Sequence, residues 1–496
     1  NRIAFDLSYG MGEYNRPYND FRFRTNSTTQ LGYRYDMLGL YTQIQLNQPD
    51  YITDPNNYQF SGGSFRLDYQ QEQLTQTRLA YSWNVDDNAE GVGVMVGVSN
   101  RYTRQEYDWD EQVYEKSGEP LLLNNFYHSV DYRPVHFQWP IFILDHHAFY
   151  GYYQQNPDGF HQDFPSTIRF SQQDDYTFKE KVGAGWFSLN WAGEQLFVTT
   201  GIRYEKTRLE TKGFLEDSEN IMRENQNESQ YDNWLPSINL RWDWTDNIKL
   251  RAVVGKSMAR ANPADVVAIE SHKHDVVNDE LIVKRGNPNL KPRISTNYDL
   301  SFEYYFDNSD SLFAIALFRK DIANLIFDHS YKVIDDQSMT SHYFEKRNAN
   351  TARINGLEIA LIKNDLASLS HALSGLGVQL NATWIDASLT YDVAHDDGNV
   401  KLVTIDHLKE QADFMANAAV FYSWKGGEVR LAYNYIDQYS DGLRTGSAPK
   451  ERQRIERFWS PYSQVDFHIQ HQVLDTLTVR AQIRNLTNEH RVRMTG

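Results

Sequence analysis

YDLSFEYYF, residues 298–306, alternates by twos: Tyr298, Leu300, Phe302, Tyr304 and Phe306 fall on one side of an extended chain, while Asp299, Ser301, Glu303 and Tyr305 fall on the other. This is a strand with one apolar and one mostly wet face. The pattern recurs with Val429, Leu431, Tyr433 and Tyr435 against Arg430, Ala432 and Asn434, and with Val465, Phe467 and Ile469 against Asp466, His468 and Gln470. It appears again with Val479, Ala481 and Ile483 against Arg480, Gln482 and Arg484. A soluble sandwich also alternates, but it buries its apolar faces between two sheets and rarely needs so many long strands.

Composition narrows the class. With 40% apolar and 14% aromatic residues the chain has ample material for a folded body. Its mean hydropathy is -0.65, and no run of about 18 apolar residues is present, which excludes a transmembrane helix. A membrane barrel hides its apolar content, because only every second residue meets lipid. The absence of cysteine removes disulfides and thiolate chemistry. A net charge of -17 repels phosphate and disfavours a nucleic-acid partner. Asn1 to Leu7 (NRIAFDL) carries no signal peptide and reads as the inside of a strand, so an N-terminal portion is expected to precede it.

Connections come in two lengths. Short turns fall at Asp36–Gly39, Val85–Glu90, Ala192–Glu194, Thr245–Asn247, Asp307–Asp310, Lys425–Gly427 and Asp475. Between them lie long polar segments, the largest at Asp108–Asp175 and Arg260–Arg293, and Asn364–Ser374 is a longer turn on the short side. Short periplasmic turns alternating with long extracellular loops mark an outer-membrane barrel, and the count comes to about 17 strands. An odd number does not close a single-chain bacterial barrel, so further strands are expected. Trp83, Trp191, Trp244 and Trp424 each end a strand at a short turn, where indoles mark a membrane interface.

Arg285 to Tyr305 (RGNPNLKPRISTNYDLSFEYY) resembles the stretch of TonB-dependent receptors in which a large outer loop drops into a barrel strand. DYTFKEKVGAGWFSLNW from Asp175 and GIRYEKT from Gly201 resemble strands of the same receptors, as does WLPSINLRWDWTDNIKLRAVVGKSMAR from Trp234. ARINGLEI, LSGLGVQLNAT and IRNLTNE follow in the matching order. The resemblance is nearly continuous from about Tyr176 and leans to the subgroup linked to glycan uptake. It implies an all-β transmembrane antiparallel barrel of about 22 strands in the full receptor, integral to the bacterial outer membrane. The plug domain, the TonB box and the last strand are expected to lie outside residues 1–496. It also implies partners: outer-membrane lipid, the receptor's own N-terminal plug, the inner-membrane TonB complex, and a small-molecule or oligosaccharide cargo. Asn287 to Pro292 and Gly255, Gly286 and Gly356 read as turn and bulge chemistry rather than ligand contacts.

The segment 108–175 has 11 acidic and three basic residues, a net of -8, and is dense in aromatics. A loop of that length is functional or disordered, and its rings argue for order. Sugars stack on Trp and Tyr faces while Asp, Asn and His take the hydroxyls. Trp109, Trp139, Tyr150, Tyr152 and Tyr153 are therefore the expected stacking contacts, with Asp145, His146 and His147 as polar partners. The same rings serve equally to pack the loop on itself. A ferric siderophore or metal complex is the alternative cargo, though its charge asks for Arg and Lys nearby. A passive porin-like or surface-binding barrel is the other alternative, disfavoured because about 22 strands enclose a lumen too wide to select without a plug.

His136, His146, His147 and His161, and the group His272, His274 and Asp275, offer metal-ligand types without metal-site spacing, so no metal is expected. GxSxG, HExxH and Walker motifs are missing, and neither catalysis nor a cofactor is expected.

Overall fold

The computed structural model describes residues 1–25, 32–38, 41–85, 89–130, 141–217, 221–275, 280–306, 311–334, 340–394, 400–442 and 457–495. Among the described residues fifteen long strands form the wall. They are β1 (Arg2–Thr25), β2 (Tyr58–Trp83), β3 (Gly91–Lys116), β4 (Tyr176–Ala192), β5 (Leu196–Glu216), β6 (Met222–Asp243), β7 (Ile248–Ala259) and β8 (Arg293–Tyr305). Then come β9 (Leu312–Ala323), β10 (Thr351–Lys363), β11 (Leu376–Ala394), β12 (Phe414–Trp424), β13 (Gly427–Ile436), β14 (Tyr462–Leu474) and β15 (Leu477–Ile483). Each pairs antiparallel with the next. Among the described residues β1 has only β2 as a wall neighbour and β15 only β14, so the sheet ends at these two edges.

The expected count of about 17 exceeds this wall by one hairpin. Tyr33–Leu38 and Tyr41–Leu46 pair with each other in a separate two-stranded sheet, and β1 pairs directly with β2 across the connection that carries them. Their alternation is that of a wall strand, and only the partner distinguishes them.

Alternation becomes geometry here. Leu79, Val96, Phe187, Ile202, Ile238, Val254, Leu300, Leu317, Leu380, Val420, Leu431 and Ile483 share one face, and all are exposed. Cross-strand pairs such as Val254 with Tyr298, Leu300 with Leu317 and Val420 with Leu431 make the band continuous. Among the described residues no second layer covers it, and a continuous exposed apolar band is at home only in hydrocarbon. The opposite face carries polar pairs, including Arg251 with Glu303 at 2.8 Å and Asn417 with Asn381 at 2.8 Å. Rings border the band. Trp83, Trp191 and Trp244 are exposed beside the short turns, and Trp424 stacks on Tyr422 at 6.0 Å. At the other border Tyr204 meets Trp234 at 4.7 Å and Trp384 meets Phe414 at 5.0 Å.

On the long-loop side the strands outrun the band. From Val98 to Trp109, β3 climbs about 37 Å at about 3.4 Å per residue, so residues 108–116 belong to strand rather than loop. Strands β5 and β6 also run on above the band, pairing with each other as far as Glu216 and Met222. The connections add a sheet of their own. Glu270–Asp275 joins β5 through a parallel pairing of Glu270 with Leu215 and pairs with Glu280–Arg285. The latter runs parallel to Thr340–Asn348, which pairs with Ile326–Ile334.

Candidate functional site

Above the apolar band, β3 loses its neighbour because β4 begins only at Tyr176. A helix, here α2 (Phe164–Gln172), takes the vacant edge; α1 is the earlier helix His146–Gln155. Asp163 caps α2 by accepting from the Ser166 N–H at 3.2 Å, and Pro165 suits its first turn. Side chains of α2 and of Asp175 just beyond it then stand in for a strand. The Val113 N–H donates to Thr167 Oγ1 at 3.0 Å, the Glu111 N–H to Ser171 Oγ at 2.9 Å, and the Trp109 N–H to Asp175 Oδ1 at 2.7 Å. Backbone donors that a missing strand would orphan are thereby satisfied.

On the polar face beside this strap, rings and charges converge. The Arg66 guanidinium lies over the Trp109 ring at 3.9 Å and over Tyr18 at 4.7 Å. Asp68, 3% exposed, is held by Arg66 at 2.7 Å and Arg16 at 2.8 Å. Tyr107 stacks on Tyr176 at 5.6 Å, and Trp109 Nε1 donates to Glu111 at 3.1 Å. Burial pushes the Asp175 carboxyl up to about 7, with Asp108, Asp174 and Asp110 adding repulsion against the opposing Trp109 N–H. Burial also raises Asp174. Lower on this face an ionic chain runs from Arg101 through Glu180 (2.6 Å) to Arg260 (3.2 Å), and on through Glu205 (2.7 Å) to Arg203 (2.6 Å).

Connection 260–292 folds onto the same polar face. Val266, Val267 and Leu290 are buried against Phe178 and Leu209, with Tyr176 and Tyr231 beside them. The Asn287 N–H donates to Asp265 O at 2.8 Å, its side-chain amide to Lys346 O at 2.9 Å, and the Asn289 N–H returns to Asn287 Oδ1 at 3.0 Å. Gly286 is required, since a Cβ there would lie 1.8 Å from Val267 O. The segment Asn287–Pro292 is thus a rigid turn that ties two outer connections together. A second inward cluster seats Phe327 and Leu408 on Leu389 and Tyr391.

A family model described as "TonB dependent receptor-like, beta-barrel" matches residues 4–486. The chain belongs to that family. This receptor barrel is accordingly an integral outer-membrane protein, its exposed apolar band the lipid-facing surface. Solved structures share the fold. The ferric-catecholate import receptor Fiu from E. coli K12 aligns with TM-score 0.53 and 12% identity over 98% of this chain and 57% of that one. The Serratia marcescens hemophore receptor HasR, solved with its hemophore HasA and heme, aligns with TM-score 0.52 and 11% identity over 99% of this chain and 68% of that one. The ferric citrate transporter FecA gives TM-score 0.51 and 12% identity over 88% and 55%. The receptor barrel therefore spans little more than half the length of Fiu and FecA. No curated protein sequence matches it.

The barrel divides the expected contact residues between two faces. Trp109 is on the polar, lumen-side face, with one ring face already under Arg66. Tyr150, Tyr152 and Tyr153 belong to α1, which packs on the face continuous with the lipid-facing one. There Phe149 is fully buried between Phe21 and Phe60, and Tyr153 lies 4.9 Å from Phe65 and 5.6 Å from Tyr114. Tyr152 contacts Phe126 and Phe160. Asp145 caps α1 through the Ala148 N–H at 2.9 Å, which lowers its pKa, and meets His128 at 2.9 Å. His146 and His147 are exposed. Trp139 and His136 fall outside the described residues, as do the side chains of His274 and Asp275. His272 is held between Glu270 at 2.9 Å and Glu216 at 3.8 Å, and these carboxylates raise its pKa. Arg66, Tyr107, Asp174, Asp175 and Tyr176 complete the surroundings of Trp109 without having been singled out from sequence. Arg66 lies far away in the chain, and only the β2–β3 register, Asp68 opposite Trp109, brings it there.

Proposed function

We propose that this chain is the barrel of a transporter that imports an oligosaccharide across the outer membrane, with its own N-terminal plug closing the lumen and the TonB complex supplying the work. The family assignment supports active import. The cargo class rests on one arrangement: Trp109, Tyr107 and Tyr176 beside the carboxylates Asp174 and Asp175 on the lumen-side wall, where rings stack sugar faces and carboxylates accept hydroxyl protons. A second cargo, an anionic ferric siderophore or other metal complex, draws support from Arg101, Arg203 and Arg260 on the same wall, and Fiu and FecA are described as handling such iron complexes.

Accumulation of a labelled oligosaccharide by cells expressing the receptor, with and without a working TonB complex, tests the reading. Uptake disappears without TonB and falls on Trp109→Ala if it is right. Uptake that persists without TonB makes the barrel a passive channel, and ferric-complex uptake in place of sugar uptake replaces the cargo.

A further inference from the structure

On the lipid-facing side of β5 every second residue reads Ile202, Tyr204, Lys206, Arg208: apolar band, ring border, then two exposed cations, in steps of about 7 Å. Beside it β4 presents Phe187, Gly185, Gly183, Lys181 and Lys179 on the same face. Register sets Arg208 directly opposite Lys181, and like charges so placed repel. Lys179 and Lys181 share Glu210, at 3.7 and 3.5 Å, whereas among the described residues Lys206 and Arg208 have no carboxylate within 4.0 Å. Asp232 and Glu228 on β6 lie opposite Lys206 and Glu210 but close no ion pair among the described residues. Beyond the same border on β9 and β10, by contrast, Arg319 and Arg353 both close on Asp321, at 3.0 and 2.9 Å. A Cβ at Gly183 would meet nothing within 4 Å, and one at Gly185 only the Gly97 carbonyl oxygen at 3.9 Å. Bare backbone thus floors a shallow trough between Tyr204 and Lys206 on β5 and Val98 and Asn100 on β3.

We infer that this outer face binds the phosphate of an acylated sugar lipid in the outer leaflet. Depth selects the partner. Lys206 stands four residues beyond Ile202, about 14 Å along the strand and about 10 Å in height at the usual tilt, which is where hydrocarbon gives way to headgroups. A lipid there lays its acyl chains on Phe187 and Ile202 and brings its phosphate to Arg208, Lys181 and Lys206. Guanidinium and ammonium donors match phosphate oxygens, and the anion relieves the repulsion between Arg208 and Lys181. Gly183 lets the sugar ring approach the wall. The site goes beyond the import reading and is independent of cargo, because this face looks to lipid and a plug in the lumen cannot cover it. Both β4 and β5 are interior strands with each neighbour in place, so no missing strand lies beside them.

Native mass spectrometry of the purified full receptor in detergent decides it, with bisphosphorylated lipid A and the same lipid stripped of its phosphates as probes. The phosphorylated lipid binds roughly 10- to 100-fold more tightly than the stripped one. Lys181→Gln, Lys206→Gln and Arg208→Gln together abolish that preference, whereas Arg319→Gln and Arg353→Gln together leave it intact. Gly183→Val fills the trough and weakens the phosphorylated lipid, and heat-modifiable gel mobility verifies that each variant is folded. Equal binding of the two lipids overturns the site, as does a phosphate preference that survives the triple substitution or falls equally in the β9–β10 variant. Displacement of the lipid by an equal concentration of inorganic phosphate overturns the lipid as its occupant.

Discussion

Asp175 accepts the Trp109 N–H while burial and the neighbouring carboxylates hold its pKa at about 7 against an ordinary 3.8. The sign follows from that direction. A carboxyl whose folded value is raised binds its proton more tightly when docked, so its destabilising charge is absent at low pH. The penalty grows as pH climbs from about 3.8 toward about 7 and is complete above that. The strap is thus expected to dock better at pH 5 than at pH 8, seen as slower exchange of the Trp109 amide after correction for intrinsic rates. Asp175→Asn keeps an oxygen acceptor and removes the charge, so it should flatten this dependence. Equal protection at both pH values in the parent would count against the buried carboxylate as its origin. At this scale the sequence was legible by residue type and blind to partners. Trp109 stood out as an aromatic among acids, but nothing near it in the chain announces that Arg66 covers its ring.

Helices α1 and α2 show what a charge and composition count misses. The aromatic density of 108–175 foretold order, and the structure spends it on two unlike tasks: α2 replaces a strand at the edge of β3, and α1 builds a small core on the outer face. Phe149 is the centre of that core, fully buried and within 4.5–6.2 Å of Phe21, Phe23, Phe60, Phe126 and Phe160. Phe149→Ala should cost about 3–5 kcal/mol of local stability, with the wall untouched. Limited proteolysis should then cut within 117–175 many-fold faster while heat-modifiable gel mobility is unchanged, and an unaltered cleavage rate would remove the cluster as the loop's anchor. Gly286→Ala acts on the inward connection instead. Its Cβ meets the Val267 carbonyl, so 260–292 should lift from Phe178 and Leu209 and expose itself to the same protease. Period-two alternation found the wall elements because the pleat imposes it everywhere. It could not say where a strand leaves the membrane, since the pleat continues, and it counted Tyr33–Leu46 as wall because a hairpin above the membrane alternates equally well.

The wall as a whole is one curtain of strands with hydrocarbon on one side, and its two faces should respond oppositely to the same charge. Leu431 and Asn434 lie on the same strand, β13, and face opposite ways: Leu431 is 50% exposed within the apolar band, opposite Val420 and Phe467, whereas Asn434 lies on the lumen side opposite Asn417 and Gln464. An arginine on the lipid face near the middle of the band has to leave its charge in hydrocarbon or distort the bilayer around it, which costs about 2–4 kcal/mol in such barrels. The same residue on the lumen face stays hydrated, and at Asn434 it finds Asp466 diagonally across the β13–β14 register. Leu431→Arg should therefore lower the unfolding free energy in lipid vesicles by about 2–4 kcal/mol, and Asn434→Arg should change it by little, both read from reversible denaturant titrations. A detergent micelle, being deformable, should shrink the difference between the two variants. The opposite ranking, with Asn434→Arg the more damaging, would mean that the apolar face is turned inward and that the lumen has been assigned to the wrong side of the sheet.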